Sequence, residues 1–515
     1  MDLYLGIDAS TQGVKAVVID AGDGTLKAEA AVNFGADLPQ YGAPSGFIPC
    51  DDPLVRQADP MMWLDGLELL LERLAATGIP MAAIRGIAGA AQQHATVYLK
   101  ANFADAMRTL SPEGSLSAQL RPCLARPVSP IWMDRSTSAE CAELTARFGG
   151  RLQQDTGSPA IERFPAAQIR RFAKHEPEAY AATAVIHLAS SFLCAVLCGG
   201  NAPIDYGDGA GMNLLNLHNI LWDKEIAEFS ANGLLERLPK AAPSATIAGN
   251  LHPYFTKFGL TAGTPVAAWT GDNPSSLIGT GAGLPGCAGI SLGTSDTFFG
   301  RMDDFKTDPQ GCGHVFGNPA GGFMSLICFS NGSLAREHVK DECGVSWEFF
   351  DEEACRQTPP GNDGCLLLPY YSTESTPLVL SPEPKPNFDW KNASAACRIR
   401  ALLESQALAM RLHTLWLQEP VECIRLTGGA SKAASFRQII ADVFQARVEV
   451  APTTNACALG AAMRAAAVCG AIPLPELTAA FCQTAVTVQP RRDLASCYQE
   501  ALERYRALEE SGTKA

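Results

Sequence analysis

The sequence predicts an α/β protein in two halves, and three observations lead there. Short apolar runs of strand length alternate with longer stretches whose apolar residues recur every three or four positions. The chain has 515 residues, too many for one core and enough for two large domains or three smaller ones at roughly 100–200 residues each. A turn near the start, Gly6-Ile-Asp8-Ala-Ser10-Thr11, is echoed in the second half by Leu292-Gly293-Thr294-Ser295-Asp296, and each lies between two strand-like runs. The turn-rich segment Gly259–Pro265 marks the main boundary, giving units 1–264 and 265–515.

Tyr4–Ile7 and Val14–Ile19 read as a strand hairpin, with Leu26–Phe34 as a third strand. Pro60–Ala76 places Met61, Leu64, Leu67, Leu70, Leu71 and Leu74 on one face, which predicts an amphipathic helix. Ile84–Ala88 is a buried strand running into Gln92-Gln93-His94, followed by a strand at Ala95–Leu99. Ile131–Asp134 reads as a strand end, and Ala166–His175 and Ala184–Leu197 as helices. The glycine-rich Tyr206–Gly211 breaks the helical pattern and reads as a surface connection with local binding potential.

In the second half, Val266–Trp269 leads into an Asp272-Asn273-Pro274 turn, and Ala288–Leu292 leads into Gly293-Thr294-Ser295. Strands follow at Gly322–Cys328, Cys423–Leu426 and Val448–Val450, and helices at Ser394–Leu417, from Lys432 to Phe444, at Cys457–Cys469 and at Ser496–Glu510. The small residues of Cys457–Cys469 suit close packing. Gln357–Asn387, dense in proline and polar residues, reads as a surface excursion.

A net charge of -14 argues against nucleic acid and anionic membranes as partners, because both repel an acidic surface. Hydrophobic content of 47% with 18% charged residues is that of a folded enzyme rather than a disordered chain. The 17 cysteines include no CxxC and read as reduced thiols. An acidic residue, Asp2, stands where a signal peptide carries positive charge, and no apolar run reaches the ~20 residues that span a bilayer, so a cytoplasmic location is expected.

Asp8, flanked by glycine and hydroxyl residues, suits a hydrated cation beside phosphate amides, though the same residue types make ordinary hairpin turns. A third glycine turn at Gly428-Gly429 follows a strand. Gly281–Gly286 matches GxGxxG in form but precedes a strand, whereas the dinucleotide fingerprint precedes a helix, and no GxxxxGK[ST] occurs. His94 reads either as a core histidine or as a contact for a hydroxylated ligand. Arg163 reads as a surface ion-pair residue or a ligand contact, and Trp347 as core or a base-stacking platform.

Four segments together resemble the FGGY carbohydrate kinases, within the sugar kinase, Hsp70 and actin superfamily: Gly6–Gln12, Gln92–His94, Thr270–Pro274 with Ser291–Asp296, and Leu426–Ser431. Further similarity at Ile131–Asp134, Glu162–Phe164, Pro203–Tyr206, Gly211–Leu215 and Asn331–Leu334 extends over nearly the whole chain. The tandem of TGDNP and SLGTSDT is the specific part.

This resemblance implies two RNase-H-like α/β domains with a nucleotide cleft between them, and ATP with Mg²⁺ in that cleft. It implies phosphorylation of D-xylulose, with L-ribulose, another ketose or glycerol as alternative acceptors. Asp272 is the implied general base, and His94, Arg163, Asp272 and Asn273 are the implied sugar contacts. Thr11, Gly293, Thr294, Trp347, Gly428, Gly429 and Lys432 are the implied ATP contacts, and Asp8 holds Mg²⁺ through water. The carboxyl of Asp272 is expected to keep a pKa near ~4. Partners are limited to sugar and ATP, in a monomer or homodimer. Ala95, Arg135 and Ala433 depart from the pattern of the family and bear on sugar selectivity and the Lys432 contact. An actin- or Hsp70-like ATPase switch is the competing class.

Overall fold

The computed structural model describes residues 1–450 and 455–512. Among them, two seven-stranded mixed sheets carry the chain. The first uses β1 (Leu3–Ala9), β2 (Gly13–Asp20), β3 (Thr25–Asn33), β4 (Ile84–Ala91), β5 (Ile247–Asn250) and β6 (Pro265–Ala267), in the spatial order β5-β6-β4-β1-β2-β3, with the two-residue strand Thr270–Gly271 as the seventh beside β4. The second uses β7 (Cys287–Leu292), β8 (Asp296–Met302), β9 (His314–Gly317), β10 (Phe323–Phe329), β11 (Cys423–Gly428), β12 (Arg447–Val450) and β13 (Val486–Val488), in the order β9-β10-β8-β7-β11-β12-β13.

The two sheets repeat one pattern of directions. Reading from β3 to β5 in the first sheet, successive pairings are antiparallel, antiparallel, parallel, parallel and antiparallel. Reading from β10 to β13 in the second gives the same series. The central strand of each sheet, β1 or β7, therefore ends in a tight hairpin on one side and borders a parallel strand on the other. The echo between Gly6–Thr11 and Leu292–Asp296 is thus a structural repeat, and both halves are RNase-H-like.

Strand periodicity explains the layering. Leu3, Leu5, Ile7, Val14, Ala16 and Val18 face α1 (Pro60–Ala76) and α2 (Ala189–Cys198), while Tyr4, Val17, Ile19 and Ala88 face the opposite way. That second face is covered by α3 (Asp272–Gly279) and by a helix from the far end of the chain, Ala456–Gly470. The second sheet packs against α4 (Ser333–Cys343) and α5 (Ala395–Leu412), and Ala456–Gly470 becomes α6. Helices α3 and α6 approach to backbone contact: a Cβ on Gly279 would lie 1.8 Å from the Ala456 carbonyl oxygen, and one on Gly460 would lie 1.9 Å from that of Ser275. The small-residue composition read from Cys457–Cys469 is what allows this crossing.

Three expectations change. The boundary at 264/265 cuts the first sheet, because Val266 pairs with Ile87 and Thr270–Gly271 with Ala90–Ala91; the change of sheet comes between Gly271 and Cys287. Ala184–Leu197 is not one helix: Val185–Leu188 pairs antiparallel with Thr96–Leu99, and α2 starts at Ala189. The excursion 357–387 is not confined to the surface, since Leu366, Leu367, Leu368 and Tyr370 are buried in the core of the second half.

Candidate active site

The ends of β1 and β4 and the start of α3 meet at one place. Asp8 lies near the end of β1, in register with Lys15 on β2 and with Ala90 on β4. It is buried, and its Oδ1 has no hydrogen-bond partner among the described residues. Burial pushes the carboxyl up to about 6, against a hydrogen bond from Cys457 and the charge of Lys15. In the hairpin beyond it, Ser10 Oγ donates to the Gly13 carbonyl at 3.0 Å. The Thr11 hydroxyl donates to Gln92 Oε1 at 3.3 Å and accepts from Trp132 Nε1 at 2.8 Å.

Asp272 stands on the other side of β4. Thr270–Gly271 pairs in parallel with Ala90–Ala91, and Asp272 is the first residue of α3, so the expected Asp272-Asn273-Pro274 turn is a helix start. The proline occupies the first turn, where its missing N–H costs nothing. Asp272 Oδ1 accepts from the Asn273 backbone N–H at 2.8 Å and from Asn273 Nδ2 at 3.1 Å. The ordinary pKa expected for this carboxyl does not hold. Burial first, and the Asp8 carboxylate second, push it up to about 7, while backbone N–H donors oppose the shift. A base poised near neutrality is what a proton-accepting carboxylate requires.

From Asp272 a line of polar groups runs away along the cleft. Asn273 Nδ2 also donates to Gln93 Oε1 at 2.8 Å, and the next residue is His94. His94 adopts a left-handed backbone, φ 70°, that turns its ring off the end of β4. Its Nδ1–H donates to the Gly211 carbonyl at 2.8 Å, which leaves Nε2 as an acceptor. Burial and the neighbouring Arg163 charge hold the ring neutral, its pKa well below the usual value. The ring stacks on Phe164 with centroids 4.4 Å apart.

Arg163 lies with its guanidinium 5.6 Å from the Phe164 centroid and has no hydrogen bond or ion pair among the described residues. The surface ion pair is therefore the wrong reading of it. His314, at the start of β9, faces the same ring from the second half of the chain, 5.8 Å from Phe164. Sequence reasoning read Gln93 only as a neighbour of His94 at a strand end and missed His314 and Trp132 as components of the cleft, and His314 had no local signal.

The second hairpin opens on a separate cavity of about 310 Å³, lined by Gly293, Thr294, Arg336, Trp347, Phe350 and Gly429 among others. Trp347 is 46% exposed, with the Lys340 ammonium 5.4 Å from its ring, so it forms a wall rather than core. Gly428 serves the backbone: at φ 91° its α-carbon lies so close to Leu292 that a Cβ would be 2.2 Å from that carbonyl oxygen. Gly429 reaches the cavity, whereas Lys432 is exposed and does not line it. Arg336, also missed, holds the hairpin. It binds both carboxylate oxygens of Asp296 at 2.7 and 2.9 Å and donates to Gln406 Oε1 at 2.9 Å, with all three residues buried.

Comparison with known proteins gives the family. A model of the N-terminal domain of the FGGY family of carbohydrate kinases matches residues 124–279, and one of the C-terminal domain matches residues 288–469. The xylulose kinase of Mus musculus is 37% identical over 523 residues, covering 98% of this chain and 94% of that protein. That of Rattus norvegicus is 38% identical over 521 residues, covering 98% and 96%. Among solved structures, a xyloylose kinase from Brucella ovis superposes with a TM-score of 0.82 at 25% identity, covering 99% of each chain. The chain belongs to the FGGY family of carbohydrate kinases.

Proposed function

We propose that the protein transfers the γ-phosphoryl group of ATP to the C5 hydroxyl of D-xylulose, with Asp272 as general base. The observation that carries this reading is the position of Asp272. Its carboxyl is tuned to about 7, with Asp8 on one side and the Asn273, Gln93 and His94 line on the other. The xylulose kinases of mouse and rat, similar over nearly their whole length, supply the acceptor.

The chemistry of a 2-ketopentose fits this line of polar groups. Ring closure to the furanose joins C2 to the C5 oxygen, so that hydroxyl is free only in the open-chain ketone. An open chain held by its C5 hydroxyl at Asp272 extends past Asn273 and His94, and its carbonyl end reaches Arg163. Arg163 has donors without acceptors, and a carbonyl oxygen is an acceptor without a donor.

In the reaction, the C5 oxygen attacks the γ-phosphorus, its proton passes to Asp272, and the bond from γ-phosphorus to the β-bridging oxygen breaks to release ADP. Phosphoryl transfer of this kind depends chiefly on positioning and charge compensation. The Gly293–Ser295 hairpin, buttressed by Arg336, keeps the Gly293 N–H on the Ser295 carbonyl and offers the Thr294 and Ser295 amides and the Thr294 hydroxyl to the phosphates. Trp347 and Phe350 wall the cavity for the base.

Asp8 fits Mg²⁺ on one observation: its buried Oδ1 lacks a partner. No cluster of three or more His, Cys, Asp or Glu side chains suited to a metal occurs among the described residues, so Asp8 would hold the ion through water. When bound, the ion supplies positive charge against the phosphates.

Coupled ADP release measured across D-xylulose, L-ribulose, glycerol and no acceptor tests the assignment. D-xylulose is expected to give the highest kcat/KM. Equal ADP release without acceptor would mark an ATPase switch instead, and a preference for glycerol would move the assignment to a polyol.

A further inference from the structure

The sugar contacts implied by the sequence all come from Asp272, Asn273 and the first half of the chain, but a residue of the second sheet packs against the same aromatic rings as His94. His314 opens β9 and is 9% exposed. Its ring lies 5.8 Å from Phe164 and 6.4 Å from Phe316, and His94 lies 4.4 and 6.5 Å from the same two rings. Two histidines from opposite halves thus share an aromatic box, and the guanidinium of Arg163 lies over one of its walls.

The hydrogen-bond inventory of this box is incomplete on three sides. His94 uses Nδ1 on the Gly211 carbonyl and His314 uses Nδ1 on Ser158 Oγ at 3.1 Å. Neither Nε2 has a partner among the described residues, and neither has the Arg163 guanidinium. All three remain within reach of solvent, and a hydroxylated ligand that displaces water there offers oxygen atoms to three adjacent groups at once. We propose that His314 is a sugar-recognition residue contributed by the second half of the chain, its Nε2 binding an oxygen at the carbonyl end of the open-chain ketose.

Either tautomer of His314 serves this role. The Ser158 hydroxyl both donates and accepts, so Nε2 is left as a donor to a carbonyl or hydroxyl oxygen, or as an acceptor from a hydroxyl. The ring is neutral in both cases: burial and the Arg163 charge push its pKa down to about 3. Burial first and the guanidinium second disfavour a protonated ring, and a neutral ring suits an uncharged sugar. The contact between Ser158 and His314 also spans the two halves, so the ketose end is read only where both sheets meet.

The inference rests on the placement of the sugar between Asp272 and Arg163, and the test separates the two. In His314→Asn the amide takes the position of Nδ1 and keeps the bond to Ser158 but has no atom at Nε2; in His314→Gln a polar atom reaches the Nε2 position. His314→Asn is expected to raise the KM for D-xylulose at least tenfold with the KM for ATP changed less than twofold, and His314→Gln to stay within threefold of wild type. His94→Ala serves as the reference for the sugar site. If His94→Ala raises the sugar KM and His314→Asn does not, the role of His314 is wrong and the sugar placement stands. If neither moves it, the placement itself is wrong. If the Gln and Asn variants are equally impaired and the ATP KM shifts with them, His314 only joins the two halves and the proposal falls. Should His314→Asn fail to fold, Ser158→Ala decides: a sugar KM raised at least twofold with ATP unaffected supports the proposal, and an unchanged one overturns it.

Discussion

Asp8 and Asp272 flank a single strand, β4: Asp8 is in register with Ala90 on one side, and Gly271, which precedes Asp272, is in register with Ala91 on the other. Neighbouring strands lie about 4.8 Å apart, so the two backbones are held about 10 Å from each other across a rigid spacer. Each carboxylate can thus serve a different partner, one the phosphate side and one the acceptor hydroxyl, while their charges still interact.

Replacing Asp272 by asparagine removes the proton acceptor and preserves the helix start. Asp272→Asn is expected to lower kcat at least ~10²-fold, the low end for loss of a general base, without weakening ATP binding. Steady-state turnover together with nucleotide binding by calorimetry checks this. Near-normal turnover would take Asp272 out of the chemistry.

The same carboxyl sets a pH dependence in both activity and stability. The base must be ionised to accept a proton, so kcat/KM for the sugar is expected to fall below about pH 7, tracking the Asp272 carboxyl at about 7. For stability the sign is opposite. The folded value lies above the ordinary 3.8, so the contribution of this group is fully present below about pH 4 and is lost as pH rises through about 7. Asp272→Asn has no charge to bury. Its melting temperature should exceed that of the wild type at pH 8 and converge with it near pH 4, as read by scanning calorimetry.

His94→Ala removes an acceptor from the middle of the cleft, far from the nucleotide cavity. The expected result is a KM for D-xylulose raised about tenfold, corresponding to loss of about 1.4 kcal/mol for one hydrogen bond, with ATP saturation little changed. Unchanged sugar saturation would leave His94 as a core residue that satisfies Gly211.

Much of this site was readable because its residues sit at strand ends within short polar motifs. Asp8, Gln92–His94 and Gly293–Ser295 follow short apolar runs bounded by turn residues, the pattern of strands, and the hairpin echo pointed to the repeat of strand directions. The parts that escaped depend on distance along the chain. His314 meets Ser158, 156 positions earlier, and no periodicity in either segment records that contact. Helix α6 covers the first sheet although it lies near the other end of the chain, which no boundary drawn from composition anticipates. The tuning of Asp272 comes from burial, which needs the assembled cleft. Val185–Leu188 was absorbed into a helix because a short apolar run next to a helix has no distinguishing period.

Arg336 gives the test of the nucleotide half. Arg336 is among the residues that line the cavity, and its guanidinium neutralises Asp296 at the base of the hairpin, with both groups out of solvent. Arg336→Met leaves Asp296 buried without its partner, and breaking such a pair costs about 3–5 kcal/mol. The expected outcome is a lower unfolding free energy and a higher KM for ATP, with the sugar KM unchanged, because Asp272 and His94 rest on the other sheet. Adding Asp296→Asn removes the stranded charge, so the double variant should regain much of the stability lost by Arg336→Met while its KM for ATP stays high. Denaturant unfolding of the two variants beside their ATP kinetics separates the structural from the nucleotide role. Recovery of both quantities together would mean that Arg336 acts on the nucleotide only by holding the hairpin, and recovery of neither would mean that the Asp296 pair is not what stabilises it.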